Sequence, residues 1–143
     1  NCPDCKLMKL SVTLGKDVLG YHMADGLIIA TSTGSTAYSS SAGGPIVSPE
    51  LETVILTPIC PYSYIVRPVV VSPDNRITVS MESRSKSRIM LVLDGQRKIL
   101  LQGDETVVFE KSSCQVKIIT IPGSDELFYE KLQARMCLQG AEE

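Results

Sequence analysis

The feature that most constrains this chain is its rhythm. Apolar, often β-branched runs of at most about five or six residues are each closed off by Pro, Gly, Asp, Asn or Ser. Runs this short suit strands, because a helix needs roughly ten residues to present a continuous apolar face. Leu7 to Leu14, a tight turn at Gly15-Lys16-Asp17, and Val18 to Met23 predict a hairpin. Further strands are predicted at Gly26 to Ala30, Thr53 to Thr57, Val66 to Ser72, Arg76 to Met81 and Ile89 to Asp94. Lys98 to Leu101, Thr106 to Phe109 and Val116 to Ile121 complete the series. So many short strands predict a mainly β, sandwich-like architecture. The pattern changes once near the end. Ser124 can cap a helix over Asp125 to Leu138, where Leu127, Phe128, Leu132, Met136 and Cys137 fall near helical spacing.

The 143 residues suit one domain with a substantial core. With 14 basic and 16 acidic residues, the net charge of -2 advertises neither a nucleic-acid nor a lipid surface. No apolar run approaches the roughly 20 residues that span a bilayer. The start of the sequence has no apolar segment of the kind that marks a secretory leader, so the expected location is cytoplasmic. Cysteines at 2, 5, 60, 114 and 137 are odd in number and scattered, unlike a secreted disulfide framework. Cys2-Pro3-Asp4-Cys5 is a lone C-x-x-C, and a zinc ribbon needs a second pair. His22, the single histidine, reads as a strand residue, so no metal site is expected. The run Glu82-Ser83-Arg84-Ser85-Lys86-Ser87-Arg88 reads as a solvated loop between two strands.

One segment departs from plain strand-and-turn chemistry. From Ala24 to Pro45 the chain reads A-D-G-L-I-I-A-T-S-T-G-S-T-A-Y-S-S-S-A-G-G-P, joining an apolar strand to a dense run of hydroxyls and glycines. Thr33 or Ser35 could cap a helix through Thr36 to Ser41, leaving first-turn N–H groups to face an anion. Gly34, Gly43 and Gly44 would let backbone approach a ligand closely or take positive φ. Tyr38 would add a ring for stacking and a phenol for hydrogen bonding. An ordinary Ser/Thr-rich capped turn accounts for the same composition.

These residues resemble the C-terminal domain of NAD kinases, which carry D-G-L-I-x-x-T-P-T-G-S-T-A-Y-x-x-S-A-G-G-P. Leu56-Thr57-Pro58-Ile59-Cys60-Pro61-Tyr62-Ser63, followed by Arg67-Pro68-Val69-Val70-Val71, resembles that family's L-T-P-I-C-P-H-S and R-P-(L/I)-V blocks. Leu93-Asp94-Gly95-Gln96 resembles its late D-G turn. The three motifs occur in the family's order between Asp25 and about Gln96.

The resemblance implies phosphorylation of the adenosine-ribose 2′-hydroxyl of NAD by ATP with Mg²⁺, giving NADP. It implies NAD contacts at Asp25, Thr33, Thr36, Ala37, Tyr38 and, more loosely, Ser41, with Asp94 and Gly95 near the site. A plain hairpin turn is an equally good reading of Asp94-Gly95, and Asp25 also reads as a simple turn residue. Arg67 and Pro68 match a framework motif. Family members are usually dimers or tetramers with sites built across subunits, so self-association is expected. The family's N-terminal α/β domain carries G-G-D-G and an Asn-Glu pair, and neither motif occurs in these 143 residues. The chain is therefore expected to supply most of the NAD cradle but no catalytic residue. Ser32 stands where the family has proline, which should loosen the loop. Tyr62 stands where it has histidine, removing a group that titrates near neutral pH. Two other readings stay open: a non-catalytic nucleotide-binding domain, and a related lipid or sphingosine-type kinase domain.

Overall fold

A computed structural model of the chain describes residues 8–82, 89–102, 105–114, 116 and 128–139. Cys2, Cys5, the basic run at 83–88, the strand expected beyond Val116 and the helix start at Ser124 lie outside the described residues. Two compact units can be described, residues Asn1–Lys111 and Ser112–Glu143. In the second, α2 (Phe128–Gln139) forms as expected, and Phe128 and Tyr129 stack edge to face at 5.2 Å.

The first unit is β-rich, as the rhythm of the sequence predicted. The strands β1 (Met8–Leu14) and β2 (Asp17–Ala24) form the expected hairpin around Gly15-Lys16, where Gly15 takes φ 60°. Beside β1 lies β6 (Ile77–Glu82), and beside β6 lies β9 (Thr106–Phe109), giving a four-stranded antiparallel sheet in the order β2-β1-β6-β9. A second sheet joins β3 (Gly26–Thr31), β4 (Val54–Ile59) and β5 (Val69–Val71) in that order. Expected over Val66 to Ser72, β5 is cut short at its start. Val66 is taken up in a turn onto Ser63 O at 3.2 Å, and Pro68 has no N–H to give a ladder. The last pair, β7 (Ile89–Leu93) and β8 (Arg97–Leu101), forms a two-stranded ribbon.

Alternation explains how the sheets stack. Leu10, Val12, Ile77, Val79 and Met81 from the four-stranded sheet meet Leu56 and partly buried Leu27, Ile29, Val54 and Val71 from the three-stranded one. That is the core of a sandwich, with side chains of one parity on each strand facing inward. The other parity of β4 is also buried: Ile55 and Thr57 are both fully enclosed. A strand buried on both faces needs a layer on each side. On β4 the second layer is the hydroxyl-rich segment that follows β3.

Candidate functional site

Thr31 ends β3, and the chain turns at once into a 3₁₀ turn, Thr33–Thr36, then a single turn of α-helix, α1 (Tyr38–Ser41). The sequence predicted one capped helix from Thr36 to Ser41. The structure breaks it at Ala37, whose φ of -98° and ψ of -138° belong to neither helix. No side chain caps either piece. A four-residue helix has neither the length nor the aligned dipole to act as an anion site, so the expected N-terminal phosphate grip is not present in that form.

The hydroxyls expected to serve a ligand divide between two faces. Ser32, Ser35 and Ser39, spaced three and four apart, point inward and are 6%, 0% and 1% exposed. Ser32 Oγ bonds Leu51 O and accepts from Thr53 N at 3.4 Å. Ser35 Oγ donates to Val47 O at 3.2 Å and accepts from Val47 N at 3.1 Å, so it ties the turn to a distant segment and caps nothing. Ser39 Oγ lies 2.9 Å from Thr57 Oγ1 on β4. Outward, Thr33, Ala37, Tyr38 and Ser41 are exposed, with Thr36 half-buried; Tyr38 keeps 63% of its surface open. Five of the six expected NAD contacts thus share one short outer surface. No residue from Thr31 to Val47 carries a formal charge, so this surface can recognise a ligand only through hydrogen bonds, ring stacking and shape.

The glycines act differently from one another. Gly43 takes φ 85°, as its lack of a Cβ permits. Gly44 serves packing: a Cβ there would sit 2.4 Å from Ser39 Oγ, 2.7 Å from Thr57 Oγ1 and 2.8 Å from Ser39 O. Its close approach is to the buried hydroxyl pair, where the sequence suggested a ligand. Ser32, expected to loosen the loop, is anchored by its side chain, and its φ of -51° lies in the range that proline would impose.

Asp25 stands apart from the other five. It precedes β3, donates its backbone N–H to Ile59 O at 2.9 Å, and is separated from Thr33 by the whole strand, about 20 Å of rise. Next to it, Cys60 takes φ 44°, and Tyr62 donates its N–H to Met23 O at 2.8 Å while its ring stands exposed. Asp94 and Gly95 form the tip of the β7–β8 ribbon with φ of 48° and 69°, closed by Gln96 N on Leu93 O at 3.0 Å. Positive φ at both central positions is what a hairpin turn of this kind requires. Arg67 is exposed at the rim of a small apolar crevice between the sheets, lined by Val12, Leu27, Leu56 and Val69.

Sequence reasoning missed Ser39, Thr57 and Gly44 as a connected unit. The signal was available in the three-and-four spacing of Ser32, Ser35 and Ser39, which is the period of a helix face. Among the described residues no three His, Cys, Asp or Glu side chains converge as a metal site would need. No helix among them is long and apolar enough to cross a membrane.

Comparison with known proteins adds family information. The pattern of the ATP-NAD kinase C-terminal domain matches residues 2–121. An NAD kinase of Chlorobaculum tepidum is 45% identical over 114 residues, covering 80% of this chain and 40% of that protein. One from Chlorobium limicola is 42% identical over 131 residues, covering 92% and 44%. The crystal structure of an NAD kinase from Archaeoglobus fulgidus in complex with ATP superposes with a TM-score of 0.68 at 34% identity, over 79% of this chain and 43% of that one. A yeast NADH kinase complexed with NADH gives 0.62 at 34% identity, over 75% and 31%. The chain thus spans less than half the length of these relatives.

Proposed function

The chain belongs to the ATP-NAD kinase family, matching its C-terminal domain, and from that premise we propose that it is the NAD-binding part of an enzyme that phosphorylates the adenosine-ribose 2′-hydroxyl of NAD with ATP, giving NADP. The observation that carries this reading is the division of residues 32–41 into an inner serine face and an outer face bearing Thr33, Thr36, Ala37, Tyr38 and Ser41. An outer face without charge, rich in hydroxyls and holding one open aromatic ring, suits a nucleoside. Tyr38 packs against the nucleoside, the hydroxyls of Thr33, Thr36 and Ser41 bond its polar atoms, and the small side chain of Ala37 leaves room beside the ring. The relatives solved with ATP and with NADH carry nucleotides of the same class.

Asp25 contributes a carboxylate acceptor to the same ligand. Its place beyond the far end of β3 from Thr33 favours a site in which two copies of the chain each give part, so the protein self-associates into a dimer or tetramer. The Asp94-Gly95 turn adjoins that site. Phosphoryl transfer also needs a positioned nucleophile and neutralised phosphate charge. These 143 residues hold no G-G-D-G and no Asn-Glu pair, so the isolated chain binds NAD but does not turn over. Mg²⁺ enters with ATP as part of the substrate, and the working location is the cytoplasm.

The test is a coupled NADP-formation assay with NAD, ATP and Mg²⁺ on the longest parent polypeptide and on the 143-residue chain. Activity in the parent that falls at least tenfold in Tyr38→Ala, with none in the chain alone, is the expected result. A folded parent that makes no NADP shifts the reading to a binding-only domain or another acceptor. Sedimentation as a monomer at high concentration removes the composite-site reading.

A further inference from the structure

The mechanism above uses the outer face of residues 32–41 and gives the inner face no task. α1 is one turn long, and an isolated turn has almost no stability of its own. It has no side-chain cap, and its ends are held by Ser40 N on Ala37 O at 3.0 Å and Ala42 N on Tyr38 O at 3.1 Å. Its rotation must therefore be fixed from outside. The buried hydroxyl contact reaching it from β4 is Ser39 Oγ to Thr57 Oγ1 at 2.9 Å, with both residues essentially sealed from solvent. Gly44 folds over this pair, donating its N–H to Ser39 O at 2.8 Å, in a space where any side chain would collide with both hydroxyls.

We infer that Ser39 is a positioning residue for the dinucleotide: its hydroxyl, shared with Thr57 beneath Gly44, fixes the rotation of α1 and with it the direction of Tyr38 and Ser41. This rests on the NAD-binding reading of the outer face. The geometry behind it is direct. Tyr38 and Ser41 lie three residues apart on the exposed side of the same single turn, and Ser39 is their buried neighbour. A hydroxyl pair is directional where a methyl contact is not, so it can hold an angle that apolar packing alone would let drift.

The proposal separates affinity from stability. Removing one partner leaves a buried hydroxyl unpaired, whereas replacing both with apolar groups of the same shape leaves none. In the 143-residue chain, Ser39→Ala and Thr57→Val are each expected to lower the urea midpoint and weaken NAD binding by about tenfold, an order set by the loss of one oriented contact. The double variant is expected to recover the midpoint and stay about tenfold weak for NAD. The conservative Thr57→Ser keeps the hydroxyl while losing a buried methyl, so it lowers the midpoint and retains affinity. Calorimetric NAD titration, urea unfolding and amide exchange at Ala42, Gly43 and Gly44 are read on all four. A double variant that binds NAD as well as the unaltered chain overturns the proposal, as does unchanged exchange at those amides in both single variants. If the unaltered chain binds no NAD, the nucleotide reading and with it the positioning role fall, while faster exchange in the single variants still marks the hydroxyl pair as what holds α1.

Discussion

Two parts of the first unit, the layer of residues 32–47 and the β7–β8 ribbon, are held by opposite means. The layer is fastened through Ser32, Ser35 and Ser39, three buried hydroxyls that each reach a different point between Val47 and Thr57. The ribbon is fastened by carbon. Ile89 is buried in the core, its cross-strand partner Leu101 packs against that core, and the rest of the ribbon leads away with Met90, Val92 and Leu100 exposed. Hydrogen bonds fix direction, and apolar contact fixes proximity. If the outer face presents a ring and several hydroxyls to a ligand, as proposed, it needs the first kind of fastening. A turn that must only be held out needs the second.

The sharpest way to break this contrast is at the base of the ribbon. Ile89→Ala empties a buried site in the core and is expected to cost about 4 kcal/mol. If the ribbon hangs on that residue, amide exchange along β7 and β8 rises far more than exchange at Ser35 or Ala37. Equal rises in both regions would mean that the ribbon and the layer share one support.

Gly44→Ala attacks the other side. The new methyl would lie under 3 Å from Ser39 Oγ, Thr57 Oγ1 and the backbone of Ser39. Only one of the three contacts is backbone, but both hydroxyls are themselves locked, so little can give. A loss of about 3 kcal/mol is expected in urea unfolding. Gly43→Ala is the control: it has open space but φ 85°, and strain alone should cost about 1 kcal/mol. Equal losses at the two glycines would mean that backbone conformation, and not the hydroxyl pair, sets the requirement for glycine here.

Ser35→Ala tests the middle fastening. It leaves the buried Val47 N–H without the hydroxyl it bonds, at an expected cost of about 2 kcal/mol. The same hydroxyl shows what was readable from sequence and what was not. The strands were legible because alternation and turn residues act locally: Thr106–Phe109 falls where predicted, and the Asp94-Gly95 turn carries the two positive φ values that its residues favour. Family membership was legible through a resemblance that also named the residues of the outer surface. The inner one was hidden because serine suits water and a buried hydrogen bond equally, so its side is decided by partners such as Val47 and Thr57 that stand 12 and 18 residues away. The strand Val54–Ile59 was expected over Thr53 to Thr57, but its burial on both faces was hidden for a related reason. Its run reads as a strand, but nothing local says that Ile55 and Thr57 are covered as fully as Leu56.

The smallest effect carries the opposite sign. Thr53 follows the Ser32 anchor, giving its N–H to Ser32 Oγ, yet its own Oγ1 is buried without a hydrogen-bond partner. A hydroxyl removed from water and left unpaired costs free energy that a methyl in the same place does not. Thr53→Val keeps the shape and the backbone N–H, and is expected to raise stability by about 1 kcal/mol with NAD affinity unchanged. Urea unfolding and NAD titration on one preparation read both quantities. A loss of stability would mean that Thr53 Oγ1 is satisfied after all and belongs with the three serines as a fourth fastening. A gain would leave the Thr53 side chain outside the polar layer, which then meets this stretch only through the Thr53 N–H and, further along β4, through the hydroxyl of Thr57.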